Sequence, residues 1–159
     1  MASCGIYESG TVLSMKMAAS AVAIAKSGRF VGVNGSGYVS MSTASSVDMI
    51  GWLNGTFELT SSSTAGGSVW PIETDFLSKL FVMPACKGTG TALTEAELLA
   101  GIGESSDIIM ESTNYQYANL AASSVDILLQ YGYIYEGSSY GQQYAIVKIN
   151  PAKLVYTSH

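Results

Sequence analysis

Between Gly28 and Gly55 the chain reads GRFVGVNGSGYVSMSTASSVDMIGWLNG, a series of short apolar segments separated by glycine turns. Asn34-Gly35 and Asn54-Gly55 are hairpin dipeptides, because both residues of such a pair tolerate the positive φ that a twist-matched turn demands. Arg29–Val33, Tyr38–Met41 and Val47–Leu53 are therefore expected as successive strands, and Asn54-Gly55 sends the chain back through Thr56–Thr60. The pattern is that of a small, charge-poor β-meander with nothing catalytic in it.

Beyond the meander, Val69–Ile72, Leu80–Met83, Asp107–Ser112, Val125–Tyr135 and Tyr144–Asn150 read as further strands, with a last short one over Lys153–Thr157. Pro71 has no N–H to give a ladder, which argues for an edge position. Thr60–Gly67 and Pro84–Gly88 read as loops. One helix carries a start signal: Thr94 and Glu97 form a capping box before Glu95–Ala100, and Gly101 closes it. Residues 1–27 read as an N-terminal arm or edge segment. Ser14 could cap a helix over Met15–Lys26, but Val22 and Ile24 alternate with Ala23 and Ala25, which favours extended chain. Residues 28–159 then form a single β-rich domain, a small β-barrel or β-sandwich-like unit. Ala44-Ser45-Ser46-Val47-Asp48 recurs as Ala122-Ser123-Ser124-Val125-Asp126, each opening an apolar strand, so a duplicated β-unit is conceivable.

The chain has 159 residues, enough for one domain that buries about 70% of its unfolded surface. Only 12% of residues are charged and 48% are apolar, so charge cannot cover the surface. Either Ser, Thr, Gly and Tyr face water, or much of the surface meets a partner. The net charge of −5 and the scatter of seven Lys and Arg argue against nucleic acid, which needs basic side chains gathered on one face. Val12–Ala25 is apolar but follows Glu8, contains Lys16 and is too short to span a bilayer, so neither a signal peptide nor a membrane anchor is expected.

Candidate chemistry is sparse. Cys4 and Cys86 make no disulfide framework and read as free thiols of a reducing compartment. The single histidine is His159, the last residue, so no metal site, cofactor or Ser-His-Asp relay is expected. Glu73 with Asp75, Glu95 with Glu97, and Glu104 with Asp107 and Glu111 are local groups suited to solvation or helix capping. A glycosidase would instead need two carboxyls facing each other across a cleft. Gly35-Ser36-Gly37 links strands and opens no helix, so it cradles no phosphate. The expectation is a protein without a catalytic site.

Aromatic residues carry the functional signal. Seven of ten tyrosines lie between Tyr115 and Tyr144, and Tyr131, Tyr133 and Tyr135 alternate along one expected strand. In a regular strand they would project from one face, leaving Gln130, Gly132 and Ile134 on the other. Such a ladder can serve as cross-strand packing, as a protein contact, or as a platform for stacking sugars. Trp52, Trp70, Tyr131, Tyr133 and Tyr135 are the interface candidates.

The glycine-led first strand, the Gly-Tyr-Val turn exit, the small-residue bridge Ser42–Ser46 and the strand ending Ile50-Gly51-Trp52 resemble the core of tailed-bacteriophage capsid decoration (cement, or head-stabilising) proteins. Gly103–Ile109, the aromatic-rich middle and the closing strand Ala145–Asn150 extend the resemblance. It implies a structural virion protein, made in the host cytoplasm, that binds the outer capsid surface as a homotrimer and bridges neighbouring copies of the major capsid protein. The alternative is a carbohydrate- or receptor-binding β-domain on a virion surface.

Overall fold

The computed structural model describes residues 5–6, 12–18, 24–25, 28–33, 36–42, 48–53, 59–60, 64–112, 115–121 and 124–154. The fold is mainly β. Its strands are β1 (Gly5–Ile6), β2 (Val12–Lys16), β3 (Ile24–Ala25), β4 (Arg29–Val33), β5 (Val39–Met41), β6 (Met49–Leu53), β7 (Leu59–Thr60), β8 (Val69–Glu73) and β9 (Phe81–Cys86). After the helix α1 (Glu95–Ala100) come β10 (Ser105–Ser112), β11 (Tyr115–Asn119), β12 (Leu128–Tyr135) and β13 (Gln143–Ile149).

Two larger sheets hold the cores, and each curls back on itself. The first runs β2-β8-β6-β4-β5. Just beyond β2, Met17 bridges in parallel to Val39 of β5, and the Ala18 N–H donates to the Val39 carbonyl at 2.9 Å. The two edge strands thus meet, which removes much of the unpaired backbone that an open sheet would expose. Met17, Val31, Val39, Met41, Leu53, Trp70 and Ile72 fill the interior. The second sheet runs β1-β9-β11-β10-β12-β13, and β13 also pairs with β9, closing a ring of five strands to which β1 is appended. Short β3 and β7 pair separately.

The two cores share a wall. Along β4, Phe30 faces the second ring and Val31 the first, as successive strand residues must. Phe30, Met49 and Trp52 from the first sheet join Phe81, Met83, Ile108, Leu128, Val147 and Ile149 in the larger core. The Phe30, Trp52 and Phe81 rings meet at centroid separations of 4.5 to 4.8 Å, within the range where aromatic pairs add about 0.5–1.5 kcal/mol each beyond area burial. Across this junction the buried Gln116 of β11 acts as a piece of strand. Its Oε1 accepts from the Phe30 N–H at 2.8 Å, and its Nε2 donates to the Phe30 and Ser42 carbonyls at 2.9 and 2.7 Å.

Helix α1 forms as its sequence dictates. The Thr94 hydroxyl accepts from the Glu97 N–H, and the Glu97 carboxylate accepts from the Thr94 N–H at 2.8 Å. Leu98 is the helix residue that enters the core. The turn before β12 is held by Asp107, whose carboxylate accepts from the Ser124, Val125 and Asp126 N–H groups and the Ser124 hydroxyl at 2.7 to 3.0 Å. That cradle keeps Asp126 at φ 60°, a conformation few residues other than glycine adopt.

Several expectations need correction. Within the first 27 residues the alternative of a helix from Met15 fails, since Val12–Lys16 form an edge strand paired with β8, in line with the extended reading of this segment. Pro71 lies in a strand flanked on both sides, yet β6 pairs only with Ile72 and Glu73, so beside Pro71 that flank is locally an edge. Pro84, Ala85 and Cys86 continue β9, and Cys86 is fully buried at its end. Pro151–Lys153 is a 3-10 turn capped by Asn150, so Lys153 starts no strand, and residues 155–157 of the strand expected over Lys153–Thr157 lie outside the described residues. The first copy of the Ala-Ser-Ser-Val-Asp repeat falls on residues 44–48, of which 44–47 lie outside the described residues, as do Cys4 and His159.

Candidate binding site

The five aromatic candidates divide into three environments. Trp52 and Trp70 are only 2% and 1% exposed, one in each core, so neither is available as a surface anchor. The tyrosine ladder is broken by a β-bulge. In the β12–β13 ladder Gln130 pairs with Val147 but Gly132 pairs with Ile146, leaving Tyr131 as the extra residue. Tyr133 and Tyr135 then pair with Ala145 and Gln143 on the inner face, and both lean on the larger core. The Tyr133 hydroxyl donates to Glu95 Oε1 of α1 at 3.3 Å; burial, reinforced by that carboxylate, pushes its phenol above the ordinary tyrosine value. Tyr131 alone stands clear, at 57% exposure.

The row turned outward is therefore Leu129, Gly132 and Ile134 of β12, Tyr144, Ile146 and Lys148 of β13, and Val82 of β9, with Pro84 in the same row but buried. Ile134 is 41% exposed, and Leu80, the residue before β9, is 36% exposed. Lys148 is the one charge on this row of paired residues. Solvated faces of antiparallel sheets ordinarily alternate to polar residues, and this row departs from that pattern.

At the hairpin end of the same face, four tyrosines converge. Tyr144 pairs with Pro84, and Ala118 of β11 pairs in parallel with Ala85, which sets Tyr117 beside Pro84 on its other flank. The connection from β12 to β13 folds over this row so that Tyr140 stacks on Tyr117, with centroids 5.3 Å apart and planes inclined by 6°. Tyr115, Tyr117, Tyr140 and Tyr144 line a cleft of about 400 Å³ together with Glu136, Gly141 and Gln142. Behind it, the Arg29 guanidinium lies over the Tyr115 ring at 5.3 Å.

The connecting loop is fixed by hydrogen bonds. The Glu136 N–H donates to the Gln142 carbonyl at 2.9 Å, and the Gln142 N–H to the Ser139 carbonyl at 3.1 Å. Fully buried Gln143 sends its Nε2 to the Gly137 and Ser139 carbonyls. Gly141 sits at φ +86°, which a side chain would strain, and its Cα side approaches the Tyr117 hydroxyl. A cleft held this way exists before any ligand arrives.

The carboxylates have structural duties. Glu97 pairs with Lys87 at 2.6 Å, and that bond, with those from Thr94, lowers its pKa to about 2. Asp107, expected to be solvated or capping, is buried; burial pushes its carboxyl up, but the four hydrogen bonds outweigh this and hold it below the ordinary range. Glu73 is likewise buried and not solvated, accepting from the Asp75 N–H at 3.1 Å. Among the described residues no three His, Cys, Asp or Glu side chains group as a metal would require, and no helix is long and apolar enough to cross a membrane. No protein-family model matches the chain, and comparison with curated proteins and with solved structures finds no similar protein.

Proposed function

We propose that this chain is a non-enzymatic structural protein that decorates the outer surface of a phage capsid, docking through the outward face of β9, β12 and β13. The observation that supports the reading is that face itself, where Tyr131, Ile134, Ile146 and Val82 stand with a single lysine. It joins the turn-and-strand resemblance to decoration proteins, and the acidic balance of the chain keeps it from the packaged genome. The mechanism is mechanical. Many identical copies, trimers in this reading, bridge neighbouring capsomers, and each adds a modest interface free energy that symmetry multiplies.

Ile134→Asp tests it, since an exposed position accepts a carboxylate without unfolding the ring. Occupancy on purified expanded capsids is expected to fall by roughly thirtyfold, the equivalent of about 2 kcal/mol at a buried contact. Folded Ile134→Asp protein that fills the shell as the parent does would refute the assignment of this face.

A further inference from the structure

We infer that the tyrosine cleft is a binding site for a neutral sugar. The inference concerns the free protein: the cleft shares Tyr144 with the proposed docking face, but sugar binding is read without a capsid, so either reading can fail alone.

The chemistry follows from what converges there. A pyranose presents an apolar face of C–H bonds and a rim of hydroxyls. It is held best by an aromatic face flanked by an amide and a carboxylate, each able to accept or donate to neighbouring hydroxyls. The cleft supplies this combination: four tyrosines, the Gln142 amide and the Glu136 carboxylate. Its volume of about 400 Å³ lies in the range of small-ligand sites, ~300–1,000 Å³. The lining includes one acidic group and no basic one, which disfavours phosphorylated or sialylated ligands.

Preorganisation is the second argument. Weak polar ligands bind measurably only where the site loses little entropy on binding. Here Gln143 underpins the loop, the Glu136–Gln142 hydrogen bond closes it, and the stacked pair Tyr117 and Tyr140 fixes its tip. The sequence placed a sugar platform on Tyr131, Tyr133 and Tyr135; the fold brings together Tyr115, Tyr117, Tyr140 and Tyr144 in their place.

The experiment is saturation-transfer difference NMR on the full chain. The probes are glucose, galactose, mannose and N-acetylglucosamine, each at about 10 mM, with choline as a cationic control because an aromatic cage with a carboxylate also suits a quaternary ammonium. At least one neutral sugar is expected to show transfer to its ring protons with an affinity on the order of 1 mM. Tyr140→Ala is expected to weaken it by up to about tenfold, the loss of one stacking partner. Glu136→Gln and Gln142→Ala, both at exposed side chains, are expected to weaken it severalfold and serve if Tyr140→Ala fails to fold. Absence of transfer to every sugar, equal transfer to all three variants and the parent, or transfer to choline alone would each overturn the proposal.

Discussion

Gln116→Leu removes the amide that joins the two rings while nearly keeping its volume. In the parent, Oε1 accepts from the Phe30 N–H, and Nε2 donates to the Phe30 and Ser42 carbonyls. The Phe30 carbonyl still receives the Ser42 N–H at 2.9 Å after the change. Two buried groups lose their partner: the Phe30 N–H and the Ser42 carbonyl. Each such group costs about 1–3 kcal/mol when stranded, and leucine recovers some of this through apolar burial, so the net expectation is a loss of about 3 kcal/mol. For a domain of this size that lowers the melting temperature by roughly 6–12 °C. Urea unfolding measures the free energy, and amide exchange at Phe30 localises it, since that proton should exchange by local opening only in the variant. A loss under about 1 kcal/mol, with Phe30 protection unchanged, would show that water or a shifted backbone satisfies these groups and that Gln116 is no clamp.

Asp107→Asn exchanges a carboxylate for a weaker acceptor beneath three backbone N–H groups and is expected to cost about 2 kcal/mol in chemical denaturation. The carboxyl of Asp107 is depressed in the folded state, so its contribution is present above the unfolded value near 4 and fades as pH falls through the folded one; the variant should lose part of the acid dependence of stability in that window. Glu97 should titrate at about 2 by carbon-detected NMR, and Lys87→Met should move it up toward the ordinary glutamate value, because the Lys87 bond is the largest cause of the depression. A Glu97 midpoint unmoved by Lys87→Met would assign the shift to the helix cap instead.

What could be read in the sequence was local. Strand β4 and helix α1 have the boundaries expected from their glycine and capping residues, because those signals act within a few positions. Strand β2 was hidden: most of its residues are exposed, so it carries no burial alternation and owes its conformation to pairing with β8. Strand β11 was missed because its inward residue Gln116 is polar while its outward ones are tyrosines, the reverse of the usual code. The bulge at Tyr131 inverted the ladder, and Gly132 inside the strand was the available hint. The density of tyrosines was plain, but which of them converge is decided by β9 lying between β11 and β13, a pairing far from local.

The shared wall also sets an order of events during synthesis. Phe30, Met49 and Trp52 leave the ribosome well before Phe81, Leu128 and Val147, the side chains that cover them. Until β13 has been made, the amino-terminal ring carries an uncovered aromatic face, and β4 and β6 offer it to any neighbouring nascent chain. A ribosome stalled between β8 and β9 would therefore release a sticky half-product rather than a free-standing module. Placing ring closure in β13 leaves that aromatic face bare until β13 is made.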